Sequence, residues 1–126
     1  MIKLGKVIYT ILSGNTTVRN YVSLNIFPIV IPENTELPCV VYERNSDFEN
    51  TKDSGYGIQN DSVDITILSE NYTECIDITQ AIYDCLSDYK GTILGIGIVD
   101  IKCTNVSETF AENCYIQKLT FNVKSR

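Results

Sequence analysis

The 126-residue sequence predicts an α+β fold, with an antiparallel or mixed β-sheet of about four to five strands. The length suits a single domain spanning residues 1–126. The content of 44% apolar and 21% charged residues is typical of a globular chain. Apolar extended segments joined by short links surround one long amphipathic helical segment, and this order favours a sheet with helices packed on it.

The N-terminal segment predicts a helical hairpin. Apolar residues recur at helical spacing from Leu4 to Leu12, and Ser13-Gly14 is suited to end the helix. Asn15 is suited to cap a second short helix over residues 16–21.

Five extended segments are predicted after the hairpin. Residues 26–32 are β-branched, but two prolines bar them from a central strand, so we expect an edge strand or a covering segment. Strands are predicted over residues 39–44 and 63–67, on either side of a turn-rich loop at 46–57. Two further strands, 98–106 and 114–124, are predicted on either side of a turn-like link.

The strongest helical pattern covers Tyr72–Leu86. Asn71 followed by Glu74 resembles a capping box with Asn in the capping position. Apolar residues form one stripe, which Ile76 and Tyr83 widen, while acidic residues occupy the opposite arc. We therefore expect one long amphipathic helix packed on the sheet.

Residue content argues against an enzyme. The chain has no histidine, which excludes the common Ser/His/Asp and Cys/His nucleophile arrangements. Its five cysteines form no CxxC pair and are predicted to be reduced. Cys39 and Cys114 are candidate reactive thiols, but no basic cluster lies near them in sequence to activate them. The glycines of Gly91–Gly97 lack the spacing of a phosphate loop and predict a turn or bulge.

Carboxylates are the remaining candidates for chemistry, since acidic pairs can bind Mg²⁺. Glu74, Asp77 and Asp84 share a helix face, and Asp61 and Asp64 flank the start of a strand. A solvated surface explains the first set, and capping of a strand explains the second. We therefore predict no metal site, no cofactor and no catalytic residue.

Charge is concentrated in the middle of the chain. The net charge is −6, and residues 45–90 carry ten acidic and two basic side chains. Such a surface disfavours general nucleic-acid binding, which requires a basic footprint. No apolar run is long enough to cross a bilayer, so no membrane partner is expected. The N-terminus lacks a signal-peptide cleavage site, so we expect no export.

Several short phrases, in order along the chain, resemble those of the tail-completion family of long-tailed bacteriophages and prophages. Its members are also called tail-terminator or head–tail joining proteins. The matching phrases are Ile26-Phe27-Pro28, Leu37-Pro38-Cys39-Val40-Val41-Tyr42, Ser69-Glu70-Asn71-Tyr72 and Tyr89-Lys90-Gly91. The chain departs from the family in lacking an arginine before Ile26-Phe27-Pro28 and in its acidic loop at 46–60.

The resemblance implies a structural, non-enzymatic protein of the virion tail or head–tail junction, present in the host cytoplasm during assembly. It implies a homo-oligomer, a hexameric ring that caps the tail tube and contacts the tail tube protein and the head connector proteins. DNA would pass through such a ring without specific binding.

Two sets of residues are candidates for roles in such a ring. Exposed aromatic side chains among charges are frequent binding anchors, and on this basis we predict an interface in the 46–57 loop. The candidate interface residues are Asp47, Phe48, Glu49, Lys52, Asp53 and Tyr56. The candidate acidic residues facing the channel are Asp47, Glu49, Asp53, Asp61 and Asp64.

Alternative subunit contacts are the polar strand faces and the Ile29–Ile31 edge. An alternative function is a monomeric acidic binding or inhibitor module of a mobile element, acting on a basic partner. A metal-dependent hydrolase built on the acidic residues is the third alternative.

Overall fold

A computed structural model describes residues 1–45 and 57–126 as three helices and a six-stranded sheet. The helices are α1 (Leu4–Gly14), α2 (Thr16–Val22) and α3 (Tyr72–Leu86). The strands are β1 (Ile26–Pro28), β2 (Cys39–Arg44), β3 (Gln59–Ser69), β4 (Gly91–Ile93), β5 (Ile96–Ala111) and β6 (Cys114–Ser125).

The two N-terminal helices meet at Asn15, which serves both. Its backbone N–H donates to the Leu12 carbonyl and closes α1, while its side-chain oxygen accepts from the Val18 N–H and caps α2. Asparagine suits this position because its short side chain can satisfy an unpaired N–H at a helix start. The predicted bounds of α2 agree with the structure to within one residue, whereas α1 continues through Ser13 and Gly14, the residues predicted to end it.

The sheet is mixed, with the strand order β1-β2-β3-β6-β5-β4. β1 runs parallel to β2, and every other neighbouring pair is antiparallel. β1 lies at one edge of the sheet. Proline has no backbone N–H to donate, and an edge strand, which pairs on one side only, can accommodate Pro28. The α+β class and the mixed sheet are confirmed, and the edge position of residues 26–28 is as predicted.

The sheet has six strands where the sequence predicted four to five. The extra strand is β4, which forms a tight hairpin with β5 through Leu94 and Gly95. Both residues have positive φ, 52° and 78°, as the turns that match the twist of a hairpin require. Gly95 thus serves a turn, as predicted, whereas Gly91 and Gly97 lie within β4 and β5, and the turn adds a strand to the sheet.

The predicted link at 107–113 is wrong, because β5 continues to Ala111. Only Glu112 and Asn113 form the turn, with φ of 51° and 63°. Side chains on both faces of this half of β5 are exposed, so the alternation of apolar and polar residues that marks a half-buried strand is weak here.

The core lies between the helix layer and one face of the sheet. α3 lies across β3 and β6, whereas α1 lies over β1 and β2. Fully buried side chains from both layers meet there, including Leu4, Ile8, Ile65, Ile67, Ile78, Ile82, Leu119 and Phe121. This arrangement holds α1 and α3 above opposite halves of the sheet.

The start of α3 is capped by a relay of side chains. The Asn71 side chain accepts from the Glu74 N–H at 2.9 Å, as predicted. The Glu74 carboxylate accepts from the Ser69 hydroxyl, which itself accepts from the Asn71 N–H. In an ordinary capping box the Glu carboxylate accepts directly from the backbone N–H of the capping residue. Here the Ser69 hydroxyl lies between these two groups and forms a hydrogen bond with each.

Replacing Asn71 with alanine removes this cap and leaves the Glu74 N–H without its acceptor. We expect Asn71→Ala to lower the free energy of unfolding by about 1 kcal/mol, measured by urea denaturation. The exposed neighbour Thr73→Ala is the control, and should change that free energy by no more than about 0.5 kcal/mol. Equal effects of the two substitutions would show that the cap does not stabilise α3.

Candidate assembly surface

One shoulder of α3 carries apolar side chains that the sheet does not cover. Tyr72, Ile76 and Tyr83 lie on one side of the helix, and each is 39–43% exposed. The sequence predicted that Ile76 and Tyr83 widen the core stripe, but they lie at its margin. α3 is centred over β3 and β6, so its shoulder projects toward β5 instead of into the core.

Strand β5 continues this surface. Within the described residues β4 pairs with β5 only at Ile96–Ile98, so no described strand covers the outer edge of β5 beyond that point. Val99 and Thr104 have no pairing partner on β6 and form bulges, a common feature of edge strands. Beyond them Val106 and Phe110, each 57% exposed, pair with Leu119 and Tyr115 on the helix-facing side of the sheet.

A groove of about 240 Å³ separates α3 from β5. Its lining is mainly apolar and consists of Ile76, Thr79, Gln80, Tyr83, Val106, Gln117 and Leu119. Pockets for drug-sized ligands have volumes of roughly 300–1,000 Å³. The smaller groove suits one or two side chains of a protein partner better than a cofactor.

Glu108 forms the polar end of this region. Its carboxylate accepts from the buried Gln117 amide at 2.7 Å and from the Tyr72 hydroxyl at 3.0 Å. The hydrogen bond to Glu108, together with its negative charge, raises the pKa of Tyr72. The Phe110 and Tyr72 rings both contact the Tyr115 ring, with centroids 5.0 Å and 5.3 Å apart. These contacts hold the end of β5 beside the start of α3.

The outer faces of the two main helices differ in charge. Residues 70–88 contain five acidic and no basic side chains, and Asp77 and Asp84 are exposed on α3. Residues 1–32 contain three basic and no acidic side chains, and both Lys3, the residue before α1, and Lys6 on α1 are exposed. The exposed face of α3 is therefore acidic and that of α1 is basic, although five of the nine described basic side chains lie on or beside β4, β5 and β6, in the half of the sheet under α3.

The other face of the sheet is polar. Asp64 accepts from Thr120 at 2.7 Å and from Asn45 at 3.2 Å, and Lys118 lies 3.6 Å from its carboxylate. A shallow depression of about 390 Å³ separates these strands from residues 29–31. Ile29 and Val30 are 65% and 68% exposed, which keeps this edge a candidate contact.

The predicted channel acids have different surroundings. Asp61 is buried, at 4% exposure, and its carboxylate accepts from the Met1 ammonium at 2.7 Å. Asp64 is half-buried in the polar network. The other three, Asp47, Glu49 and Asp53, lie outside the described residues.

The remaining predicted interface residues, Phe48, Lys52 and Tyr56, also lie outside the described residues. The apolar groove was missed by sequence reasoning, because the polar Glu108 lies between Val106 and Phe110 on the same strand face and weakens the apolar pattern. Asp77 and Asp84 are exposed on the solvent side of α3, as predicted, whereas Glu74, which was predicted to share that surface, is half-buried and accepts from the Ser69 hydroxyl.

The thiols show no sign of activation. Cys39 and Cys114 are buried, and burial raises the pKa of Cys39 to about 11 and also raises that of Cys114. Burial likewise raises the pKa of Cys75 to about 11. Within the described residues no group of three or more Cys, Asp or Glu side chains could hold a metal ion.

A comparison with protein families gives one match that covers most of the chain. The family described as "Tail completion protein gp17" matches residues 6–123. The chain belongs to this family. The resemblance seen in the sequence is thereby confirmed, and the chain is a structural protein of the phage-type tail.

A comparison with solved structures supports the same fold. A chain from the "Virion of native gene transfer agent (GTA) particle" has a TM-score of 0.77, with 12% sequence identity. The match covers 97% of this chain and 93% of that chain. At this identity the likeness shows the fold alone.

A comparison with curated proteins found no match to the chain. In residues 1–45 and 57–126, each helix is too short or too polar to span a bilayer.

The buried thiols predict a defined order of chemical labelling. At pH 8 a thiol of pKa about 11 is thiolate in about one molecule in a thousand, and burial also blocks the reagent. We expect a thiol-specific reagent to modify the half-buried Cys103 first, and Cys39 and Cys75 only after unfolding. Mass spectrometry of a labelling time course, with and without urea, gives the order. Labelling of Cys39 in the native chain at the rate of Cys103 would contradict this structure.

Proposed function

We propose that this chain caps the end of the tail tube as a ring, stops its growth and joins it to the head connector. The observation that supports this most is the family match over residues 6–123, because tail completion is the family's described role. The likeness of fold to a chain from a phage-like virion agrees with the proposal. No catalytic step is part of it.

The shape of the subunit is suited to a ring. Its two sheet edges differ, since β1 is short and is followed by the exposed Ile29 and Val30, while β5 presents a long edge beside the α3 groove. Unlike surfaces on opposite sides favour head-to-tail contacts, which close into rings when the rotation per subunit allows it. We propose a homo-hexamer, with the tail tube protein and the head connector proteins as its axial partners.

The candidate interface in the loop remains part of the proposal. We propose that Asp47, Phe48, Glu49, Lys52, Asp53 and Tyr56 contact a neighbouring subunit or an axial partner. Aromatic side chains surrounded by charges supply both buried area and orientation in such contacts.

We also propose that acidic side chains face the central channel. A negative wall repels phosphates, so DNA would pass without being held. The candidates are Asp47, Glu49, Asp53 and Asp64. Asp61 is less suited to this role than the sequence suggested, because its carboxylate is buried against the Met1 ammonium.

Capping can be tested on tails of the phage or prophage that encodes the chain. We expect particles lacking the chain to have tails of irregular length that do not join heads, and added purified chain to bind one end of the tube. Electron microscopy of purified tails with a gold-labelled chain gives both results. Normal tails without the chain would contradict the proposal, and a monomer that ignores tails would favour the binding-module alternative.

The channel proposal has a separate test. Because the three loop acids are also interface candidates, capping is scored on the same particles and infectivity is compared per capped tail. We expect Asp47→Lys, Glu49→Lys and Asp53→Lys together to lower infectivity or DNA delivery per capped tail at least about tenfold. The matched control is Glu33→Lys, Glu36→Lys and Glu70→Lys, which makes the same change in net charge at exposed sites. Equal infectivity of the two variants would overturn the channel assignment.

A further inference from the structure

The two helices whose exposed faces have opposite charge lie side by side, over different halves of the sheet. α1 contacts β1 and β2, near one sheet edge, and α3 contacts β3, β6 and β5, toward the other. The exposed face of α1 carries Lys3 and Lys6, and the exposed face of α3 carries Asp77 and Asp84. The part of α1 that contacts α3 is a different face, formed by buried apolar residues. The charged faces therefore cannot meet within one molecule.

We propose that a second copy of this chain covers the groove beside α3, with the basic face of its α1. The contact joins the acidic face of α3 and the groove in one copy to Lys3, Lys6 and Tyr9 in the next. The inference rests on the proposed ring and identifies the subunit contact within it.

Charge complementarity selects this pairing over the others. A contact between two α3 faces would place Asp77 and Asp84 against the same acids of the partner, and a contact between two α1 faces would oppose lysines. Like charges brought together cost free energy and slow association, whereas opposite charges speed it. Only the α1–α3 pairing places lysines against aspartates.

The groove supplies the apolar part of the contact. Ile76, Tyr83 and Val106 expose 39–57% of their side chains along its rim. On the other partner Tyr9 is 39% exposed on the flank of α1, where its ring also contacts the buried Tyr42 at a centroid distance of 6.4 Å. An aromatic side chain anchored in this way suits a groove sized for one or two side chains.

The contact is heterologous, since the surfaces that meet are different. Each copy retains one free α1 face and one free α3 groove until the assembly closes. A repeated contact of this kind generates a ring or a filament, whereas a symmetric contact would stop at a dimer. The inferred contact is thus one that can build the proposed ring.

A charge-swap experiment on the full chain tests the inference. The first variant carries Asp77→Lys and Asp84→Lys, and the second carries Lys3→Glu and Lys6→Glu. Sedimentation velocity of the wild-type chain at low salt, over a concentration series, should show self-association that weakens as salt is added. We expect each variant alone to associate at least about tenfold more weakly than the wild type.

Restoration of the contact separates it from a general effect of charge. An equimolar mixture of the two variants pairs every altered face with one of opposite sign, and should associate like the wild type. A chain carrying all four substitutions should also recover. The matched controls are Glu33→Lys with Glu36→Lys, and Lys90→Glu with Lys124→Glu, which make the same charge changes away from the contact. Each control should associate like the wild type.

Several results would overturn the inference. They are a wild-type chain that stays monomeric at millimolar concentration in low salt, variants that associate normally, and a mixture that does not recover. Association through another surface would leave the tail-capping proposal standing. Conversely, the chain could associate in a way that the charge swaps weaken and restore, and yet fail to bind tails. That result would support this contact and contradict the proposed function.

Discussion

The antiparallel pairing of β3 with β6 is the contact on which the rest of this structure depends. It runs from Gln59 with Ser125 to Ser69 with Tyr115, so both strands are paired along almost their whole length. Alternate residues of the pair, such as Ile65 and Phe121, form the floor on which α3 packs. A one-residue slip would turn these side chains to the polar face, which makes the register strongly specified. The positions of α3, β2 and β5 follow from it.

The same pairing produces the difference between the two sides of the subunit. Because α3 is centred over β3 and β6, α1 occupies the space above β1 and β2, while β5 extends beyond the cover of the helices. The part of β5 that the helices do not cover contains Val106 and Phe110, two apolar side chains whose exposure to water does not stabilise a monomer. Contiguous exposed apolar side chains beside a long free strand edge are typical of surfaces that bind another protein. This agrees with a structural protein of a phage-type tail.

Local signals were sufficient to predict α3 and the edge position of β1. Asn71, Glu74 and the apolar stripe set the bounds of the helix, and Pro28 set the edge. The strand count was underestimated because β4 is three residues long and contains one of the glycines that elsewhere mark a turn. The second half of β5 was missed because its exposure on both faces removes the contrast between apolar and polar positions. Alternating apolar and polar residues indicate a strand with one buried face. A strand exposed on both faces does not require this alternation, so its sequence gives little indication of a strand.

The assembly surface could be predicted only in part. Sequence reasoning placed Asp77 and Asp84 on the solvent side of α3, and the structure agrees, but Glu74 of the same predicted set is half-buried in the helix cap. It could not place Ile76 and Tyr83 at the margin of the core, because a helix pattern gives the direction of the apolar stripe but not the width of the sheet below it. The burial of Asp61 depends on its contact with Met1, sixty residues away, and no local pattern reports such a contact.

We propose that this chain assembles head to tail, with α3 of one copy against α1 of the next. A cryo-electron microscopy reconstruction of the tail end in particles that carry the chain tests it most directly. The account predicts a closed ring of identical subunits, with Asp77 and Asp84 of each subunit facing Lys3 and Lys6 of its neighbour and Tyr9 in the groove beside Val106. A ring in which the groove faces solvent, or a single copy at the tail end, would contradict it.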